Sequence, residues 1–281
     1  MLASAAMLSV QLGAAISVGL FDEIGVAGTA WLRLTLGALG FILIARPRYW
    51  QWSWRELRAP ILLGVVSAGM TLCLLAAIDL LPLGTAVAIE FLGPLSVAAI
   101  HSHSRRALAW PALALVGVVL LTEPWQGTPS LLGITFAALA GVGWGLYIVI
   151  TQHVGDRFAG VDGLAISLPV AALVTAVVGL PQAWGHLSMQ VLLVGLGAAI
   201  LLPLIPWTFE LYALRRLTKA AFGTLMALEP AIALVIGIVV LHQSAAVWQF
   251  VGIACVVLAG IAAERTGHRE DELPDLGPKV T

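Results

Sequence analysis

Residues 81–100, LPLGTAVAIEFLGPLSVAAI, form an apolar run that carries a single carboxylate, Glu90. No Lys, Arg or His lies within ten residues of Glu90 on either side, and Pro94 follows it by one helical turn. A proline removes the hydrogen bond to the carbonyl of the residue four positions earlier. The stretch therefore predicts a helix break at which a carboxylate and a released backbone carbonyl lie together.

The composition of the whole chain places this stretch in a membrane. Apolar residues make up 60% of the 281 residues, charged residues make up 10%, and the mean hydropathy is +1.00. Soluble domains carry about 25% charged residues, and one span needs about 20 apolar residues. We therefore predict an all-α integral membrane protein of ten transmembrane helices with no soluble domain. Cys73 and Cys255 lie in apolar runs and are expected to be buried and unbridged.

Breaks by Gly, Pro and charged residues divide the chain into ten apolar spans. Spans 1 to 5 are predicted at 2–20, 26–45, 59–78, 83–100 and 107–122, and spans 6 to 10 at 131–151, 163–180, 190–213, 220–241 and 246–263. The polar segment 264–281, rich in Pro and Gly, is predicted to be a disordered cytoplasmic tail.

Basic residues collect in alternate loops. Arg and Lys follow spans 2, 4, 6, 8 and 10, whereas the odd-numbered loops hold the acids Asp22, Glu23, Asp79 and Glu123 but no Arg or Lys. Because cytoplasmic loops are enriched in Lys and Arg, we expect a multi-pass protein of the inner (plasma) membrane with both termini cytoplasmic.

The two halves show weak internal similarity. When Pro94 is set on Pro230, span 4 lies over span 9 at a shift of 136 residues. Because each half has an odd number of spans, the second half must enter the membrane from the opposite side. We therefore predict two inverted five-helix repeats, 1–124 and 125–263. Such repeats are typical of secondary transporters, whose site lies between the halves near the midplane.

Four charged residues fall inside predicted spans: Arg33, Glu90, Glu210 and Glu229. Each costs about 2.5–3.5 kcal/mol at mid-helix, so each needs a partner or a water-filled cavity. At ~1.5 Å per residue, Arg33 and Glu90 lie at similar depth, roughly 10 Å below the outer surface. Glu210 lies near the inner end of span 8, from which it can reach water.

Arg33 and Glu90 have two interpretations. In the first they form a structural ion pair between spans 2 and 4. In the second they bind the carboxylate and the ammonium of a small zwitterion, with Trp31, Trp144 and Tyr147 as an apolar wall. The residues alone leave both interpretations open.

Glu229, followed by Pro230, is the candidate for proton coupling. Burial in hydrocarbon favours a protonated carboxylic acid, which suits a proton carrier but equally suits a static acid that donates to a backbone carbonyl. Pro203 and Pro206 are expected to bend span 8, so they join Pro94 and Pro230 as helix breaks that can serve in gating.

Several chemistries lack the motifs they require. The sequence has neither zinc-ligand spacing nor a GxxxxGK[ST] phosphate loop, so an ATP-driven pump is excluded and any pumping must use a gradient. We expect no cofactor, no metal, no enzymatic activity and no nucleic-acid partner. The expected partners are a small-molecule substrate, protons and the lipid bilayer.

Four motifs resemble one transporter family: TAWLRLTLGAL in span 2, PLGTAVAIEFLGPLSVA in span 4, GVGWGLYIV in span 6 and FGTLMALEPAIALVIG in span 9. They resemble the EamA-type drug/metabolite transporters and, within them, the bacterial threonine and homoserine exporters. The resemblance implies ten helices in two inverted repeats and efflux of amino acids or related metabolites. The motif residues it carries over are Arg33, Glu90, Pro94, Trp144, Tyr147, Glu229 and Pro230.

Two positions depart from the pattern of that family. Where members can show AKSLF late in span 1, this chain has Ser-Val-Gly-Leu-Phe at 17–21, without the lysine. His242 and Gln243 replace the Gly-Glu pair that commonly ends span 9. The function expected is secondary, proton-coupled export of threonine, homoserine or a similar amino acid. The alternative is an efflux permease for another metabolite or drug-like cation, bound by Glu90 and Glu229.

Overall fold

The fold is all-helical over the part of the chain that the structure, a computed structural model, describes. The described residues are 2–47, 51–100, 109–123, 130–155, 157–158, 161–206 and 228–266, and they contain no β-strand. Their helices are α1 (Leu2–Val18), α2 (Phe21–Ala45), α3 (Trp54–Leu80), α4 (Leu83–Glu90), α5 (Leu92–Ile100), α6 (Ala109–Thr122), α7 (Leu131–Gly155), α8 (Asp162–Ala183), α9 (Met189–Ala199), α10 (Glu229–Val239) and α11 (Val247–Thr266).

These helices account for the ten predicted spans. Span 4 divides into α4 and α5, and span 8 begins with α9 and continues into a π-helical turn at Ile200–Leu204. Among the described residues, four helices are long and apolar enough to cross a membrane: Phe21–Ala45, Trp54–Leu80, Leu131–Gly155 and Asp162–Ala183. The other apolar helices are shorter, because breaks divide them or because the described residues stop before their end.

Polar residues define several helix ends. Ser53 and Glu56 form a capping box at the start of α3, where the Ser53 backbone N–H donates to Glu56 Oε2 at 2.7 Å. Ser188 caps α9 by accepting from the Val191 N–H at 3.1 Å. At the other end of a helix, Arg46 takes a left-handed conformation, with φ 48°, and ends α2.

The largest of several buried clusters among the described residues joins six helices. Small and branched side chains from α1, α2, α3, α4, α7 and α10 form it, among them Ala14, Ala30, Leu75, Leu83, Ala137 and Ala233. Around this cluster α2 packs on α8, α3 on α7, and α6 on α11. The short α4 packs between α10 and α7, which places the end of α4 inside the bundle.

Glycines bring four helices, α4, α5, α7 and α10, into close backbone contact around the α4–α5 junction. A Cβ added to Gly141 of α7 would lie 2.8 Å from the Glu90 carbonyl oxygen, and one on Gly93 would overlap the Gly141 carbonyl oxygen. On the other side of α4, a Cβ on Gly84 would lie 2.9 Å from Leu234 Cα of α10. The break after Glu90 therefore lies directly against the backbone of α7, an approach that small residues permit.

We expect Gly93→Ala to destabilise the folded protein by about 1–3 kcal/mol, because the added methyl must displace backbone rather than a side-chain end. Thermal unfolding in detergent measures the effect. Gly69→Ala in α3 is the matched control, since its added methyl meets nothing within 4 Å. Equal unfolding temperatures for the two variants would contradict the close contact between α5 and α7.

Two glutamine side chains join α8 and the end of α10 to the starts of other helices. Gln182 Oε1 accepts from the backbone N–H groups of Ala27 and Gly28, at 3.0 and 3.3 Å, just after Gly25, whose φ is 72°. Gln243 Oε1 accepts from the Leu83 N–H at 3.1 Å, at the start of α4. Each amide thus satisfies helix N–H groups that have no partner within their own helix.

Candidate functional site

Three charged side chains are buried in the bundle. Arg33 lies in the middle of α2, Glu90 is the last residue of α4 and Glu229 is the first residue of α10. Their exposed fractions are only 3%, 5% and 6%. Buried charges are kept only where partners or a ligand compensate for the lost water.

The packing of α4 against α10 brings the two carboxylates to the same level. The helices run antiparallel, since Gly84 contacts Leu234 while Leu83, one residue earlier, lies beside Gly237. Moving along α4 from Gly84 to Glu90 therefore corresponds to moving back along α10 from Leu234 to Glu229. In agreement, Glu90 lies within electrostatic range of both Glu229 and Arg33. The three charges thus form one site.

Helix ends give the two carboxylates different surroundings. Glu229 lies in the first turn of α10, where the helix dipole is positive, whereas Glu90 lies at the junction of α4 and α5, where a negative and a positive helix end meet. Two acids of the same type therefore experience different helix-dipole fields at the same level of the bundle.

Arg33 is held from α1. Its Nη1 donates to Ser17 Oγ at 3.2 Å, and Ser17 Oγ donates in turn to the Gly13 carbonyl at 2.7 Å. The buried Arg33 Nε has no hydrogen-bond partner among the described residues. Because a guanidinium carries five N–H donors in a planar fork, this arrangement leaves donors for an anionic group of a ligand.

Glu229 is also contacted from α1. Gln11 Nε2 donates to Glu229 Oε1 at 3.1 Å, and the Gln11 side chain is 1% exposed. Sequence reasoning did not predict a role for Gln11 or Ser17, because it searched the spans for charged residues. The available signal was an amide in an otherwise small and apolar helix.

Of the three aromatic residues predicted to line the site, Trp144 lies beside the helix break. Its ring meets that of Phe91, the residue after Glu90, at a centroid distance of 6.2 Å and an angle of 67°. Edge contacts of this kind stabilise aromatic pairs. Trp144 therefore borders the break from α7.

Trp31 and Tyr147 have other neighbours. Trp31 is two residues from Arg33, which places it about 200° around α2, and it packs toward α8 and α9. Tyr147 packs with residues from α3 and from the region where α7 and α8 meet. The buried residues of these two clusters are Leu20, Ile24, Leu32, Ala183 and Val191 around Trp31, and Leu63, Val154, Phe158 and Ile166 around Tyr147.

The predicted helix breaks fall at different kinds of position. The helix is interrupted at Phe91, three residues before Pro94. Pro203 lies in the π-helical turn, where Leu202 leaves the helical conformation, with φ −158° and ψ 108°, and Pro206 ends that described segment. Pro230 is in the first turn of α10, where a proline fits without loss of a hydrogen bond. Glu210 lies outside the described residues.

The described residues contain no group of three or more His, Cys, Asp or Glu side chains that could hold a metal ion. The site offers instead one guanidinium, two carboxylates, an amide and a hydroxyl. Such groups bind charged organic molecules and protons through hydrogen bonds and electrostatic attraction.

Comparison with known proteins identifies the family of the chain that carries this site. Residues 131–263 match the EamA-like transporter family. Over 276 residues the chain is 36% identical to the threonine/homoserine exporter RhtA of Escherichia coli (strain K12), covering 96% of this chain and 92% of the relative. The chain belongs to the EamA-like transporter family. It is therefore a membrane protein of a transporter family, as the four motifs indicated.

Other comparisons give further relatives and one structure of the same fold. The exporter RhtA of Salmonella typhimurium (strain LT2) is 34% identical over 279 residues, covering 98% of this chain and 94% of the relative. An uncharacterized transporter of Clostridium kluyveri is 26% identical over 170 residues, covering 57% and 55% of the two chains. One crystal structure, 18% identical, superimposes with a TM-score of 0.60 over 93% of this chain and 95% of its own, which indicates a shared fold.

Proposed function

We propose that this protein exports threonine, homoserine or a similar small amino acid across the inner (plasma) membrane. The observation that carries the proposal is the relationship to threonine/homoserine exporters over 96% of the chain. The site agrees with it, because a buried guanidinium and buried carboxylates lie together in the bundle. An amino acid carries both complementary charges on adjacent atoms, so one small ligand satisfies the site.

Within this proposal Arg33 binds the substrate carboxylate and Glu90 the ammonium. Arg33 makes its described hydrogen bond to Ser17, while its interaction with Glu90 is electrostatic. A ligand can therefore reach the guanidinium without first breaking a hydrogen bond between Arg33 and Glu90. Trp144 borders this site, and Trp31 and Tyr147 complete the proposed apolar wall only if the helices shift during transport.

An inverted repeat provides the proposed transport movement. If the two halves are equivalent, each span n of the first half corresponds to span n + 5 of the second. The contact of α3 (span 3) with α7 (span 6) then has its counterpart in the contact of α9 (span 8) with α1 (span 1). In the same way α3 on α8 corresponds to α9 on α2, and α4 on α7 to α10 on α1, and all of these contacts are present. This pattern supports two repeats, 1–124 and 125–263, that alternate access to a site between them. In the proposed arrangement both termini, with the tail 264–281, lie in the cytoplasm.

Proton antiport is the proposed driving force, with Glu229 as the proton carrier. Glu229 lies beside Glu90 and belongs to the other proposed repeat, so its protonation changes the charge between the moving halves. Removing one of two neighbouring negative charges also changes the attraction for a substrate ammonium. This links proton binding to substrate release.

Flux into proteoliposomes tests the proposed function. Labelled threonine and homoserine are expected to accumulate under a pH gradient and to exchange with unlabelled amino acid without one. Liposomes containing the Arg33→Gln variant serve as the control for leakage. Absence of both accumulation and exchange with every amino acid tried would refute the proposal.

A second candidate substrate is a drug-like cation or another cationic metabolite. The site contains two carboxylates and one guanidinium, so with both acids ionised it attracts a cation. Arg33 would then be structural, held by Ser17. A panel of labelled cations in the same vesicles distinguishes the two, since an amino-acid exporter leaves them untransported.

A native cysteine offers a direct test of substrate binding. Cys73, expected to be buried, is instead half-buried in α3 and lies within electrostatic range of Glu90. The only other cysteine is Cys255, so Cys255→Ser leaves a single reporter thiol. We expect threonine to slow maleimide labelling of Cys73, measured by mass spectrometry, and glutamate to leave it unchanged. Equal labelling with both amino acids would place the substrate elsewhere.

A further inference from the structure

We propose that Gln11 is a positioning residue that holds Glu229 in both of its protonation states, and so keeps α1 joined to α10 throughout the transport cycle. The inference rests on the proposed function only in assigning proton exchange to Glu229. It adds a residue and a role that neither the buried charges nor the family resemblance supplied.

The first support is the position of the amide. Gln11 is 1% exposed in a helix whose other residues are small or apolar apart from three serines, and its partner lies 218 residues away. Burying an amide without a hydrogen bond costs about 1–3 kcal/mol, so a glutamine at this position needs a polar partner to be tolerated. Its hydrogen bond connects α1, in the first proposed repeat, with α10, in the second.

The second support is an unused acceptor. Gln11 Nε2 donates to Glu229, whereas the buried Gln11 Oε1 has no hydrogen-bond partner among the described residues. A carboxylate only accepts hydrogen bonds, but a protonated carboxylic acid also carries one O–H donor. An amide supplies a donor and an acceptor on the same carbon, so rotation of its terminal group presents either one to Glu229.

The change in hydrogen bonding between Gln11 and Glu229 can be followed atom by atom. With Glu229 ionised, the Gln11 N–H donates to the carboxylate oxygen, as the structure shows. After a proton from solution binds Glu229, its new O–H donates to Gln11 Oε1. Loss of that proton to the other side restores the first arrangement. No bond of Gln11 is broken, and the proton bound equals the proton released.

Apolar side chains and lysine cannot serve both states. Lysine donates but cannot accept, and leucine or methionine does neither. A second carboxylate would place another negative charge beside Glu90 and Glu229. An amide is uncharged and serves the site in either state, which explains its presence in α1.

Few ionisable groups of the described residues lie near Glu229. Glu90 faces Glu229 from α4, and Arg33 on α2 lies within electrostatic range of Glu90. The described part of α1 carries no ionisable side chain, and α11, which also packs on α10, carries only Cys255 over 247–262. Glu90 is therefore the group whose own protonation must be separated from the effect of Gln11.

The test is Gln11→Met, which keeps the length of the side chain and removes both polar atoms. Thermal unfolding of the purified full-length protein is measured across pH, as is threonine exchange in proteoliposomes. Thr175→Val is the control, because Thr175 is equally buried but bonds only to carbonyls of its own helix. Gln11→Leu replaces Gln11→Met if the latter does not fold, because leucine also removes both polar atoms.

Gln11→Met is expected to unfold at a lower temperature than the wild type at every pH. This decrease in unfolding temperature, the deficit, should be about twice as large at high pH, because hydrogen bonds to a charged group are roughly twice as strong as neutral ones. The donated N–H favours ionised Glu229, so without it protons bind at higher pH and the midpoint of pH-dependent exchange rises by about one unit. In the Glu229→Gln background the pH dependence of the deficit should disappear.

A deficit that does not change with pH, as expected of Thr175→Val, would overturn the proposal. A deficit confined to high pH would also overturn it, because Gln11 would then hold only one protonation state. Persistence of the pH dependence in the Glu229→Gln background would assign the effect to Glu90 instead. If the wild type does not exchange threonine, the proposed function fails, while the unfolding profile still decides the role of Gln11.

Discussion

Arg33→Lys and Glu90→Gln are each expected to weaken threonine export strongly. The lysine keeps the positive charge but loses the planar fork that binds a carboxylate through two N–H groups, so we expect the KM to rise about tenfold. Glu90→Gln removes the charge that attracts the ammonium, and we expect a rise of about 10- to 100-fold, the equivalent of one charged hydrogen bond. Initial rates of threonine flux in inverted membrane vesicles measure both.

Ser17→Ala is the matched control for the arginine. It removes the hydrogen bond that Arg33 Nη1 makes to α1 but leaves the guanidinium in place, so a smaller effect on KM is expected than with Arg33→Lys. All variants must insert to wild-type levels in the membrane. Unchanged KM values in both charge variants, together with lowered unfolding temperatures, would show that Arg33 and Glu90 serve only to stabilise the packing of α2 and α4.

Glu229→Gln is expected to abolish accumulation of threonine driven by a pH gradient while exchange of threonine for threonine continues. Exchange returns the protein through its substrate-bound form, so it needs no net movement of protons, whereas accumulation does. Gln keeps the shape and the hydrogen-bonding capacity of the acid but cannot bind a proton in this pH range. Uptake of labelled threonine under each condition in the same vesicles separates the two activities.

Glu23→Gln is the control, because Glu23 is an exposed acid in the first turn of α2 and removing it also lowers the number of carboxylates by one. It should accumulate threonine like the wild type. If Glu229→Gln accumulates threonine with the full pH dependence, the proton must be carried by another group, and Glu90 is then the next residue to change.

Most helix boundaries could be predicted because Gly, Pro and charged residues interrupt the apolar runs. Span 3 was predicted at 59–78 and is helical over Trp54–Leu80, extended at its start by the capping box of Ser53 and Glu56. Pro94 correctly indicated that span 4 is broken near Glu90. Span 8 was predicted to bend at Pro203 and Pro206, and its described part leaves the helical conformation at Leu202.

The composition of the site was harder to predict than the helices. Depth along a helix can be counted from the sequence, and it placed Arg33 and Glu90 at one level. It says nothing about which helices are neighbours, so the position of Glu229 opposite Glu90 required the antiparallel packing of α4 and α10. Gln11 carries no charge, so no electrostatic argument from the sequence singled it out.

Two kinds of contact hold these helices together, and they differ in how easily they are broken. Where Gly84 lies on Leu234, separating α4 from α10 leaves a void between two backbones that no small rearrangement fills. Where Gln182 and Gln243 hold the starts of α2 and α4, three hydrogen bonds join the parts, and each has a net value of about 1 kcal/mol, since water can take the place of an amide. A glycine contact lies beside each set of these hydrogen bonds, Gly179 on Ala27 in the first case and Gly84 on Leu234 in the second, so water can replace the amides without parting the helices.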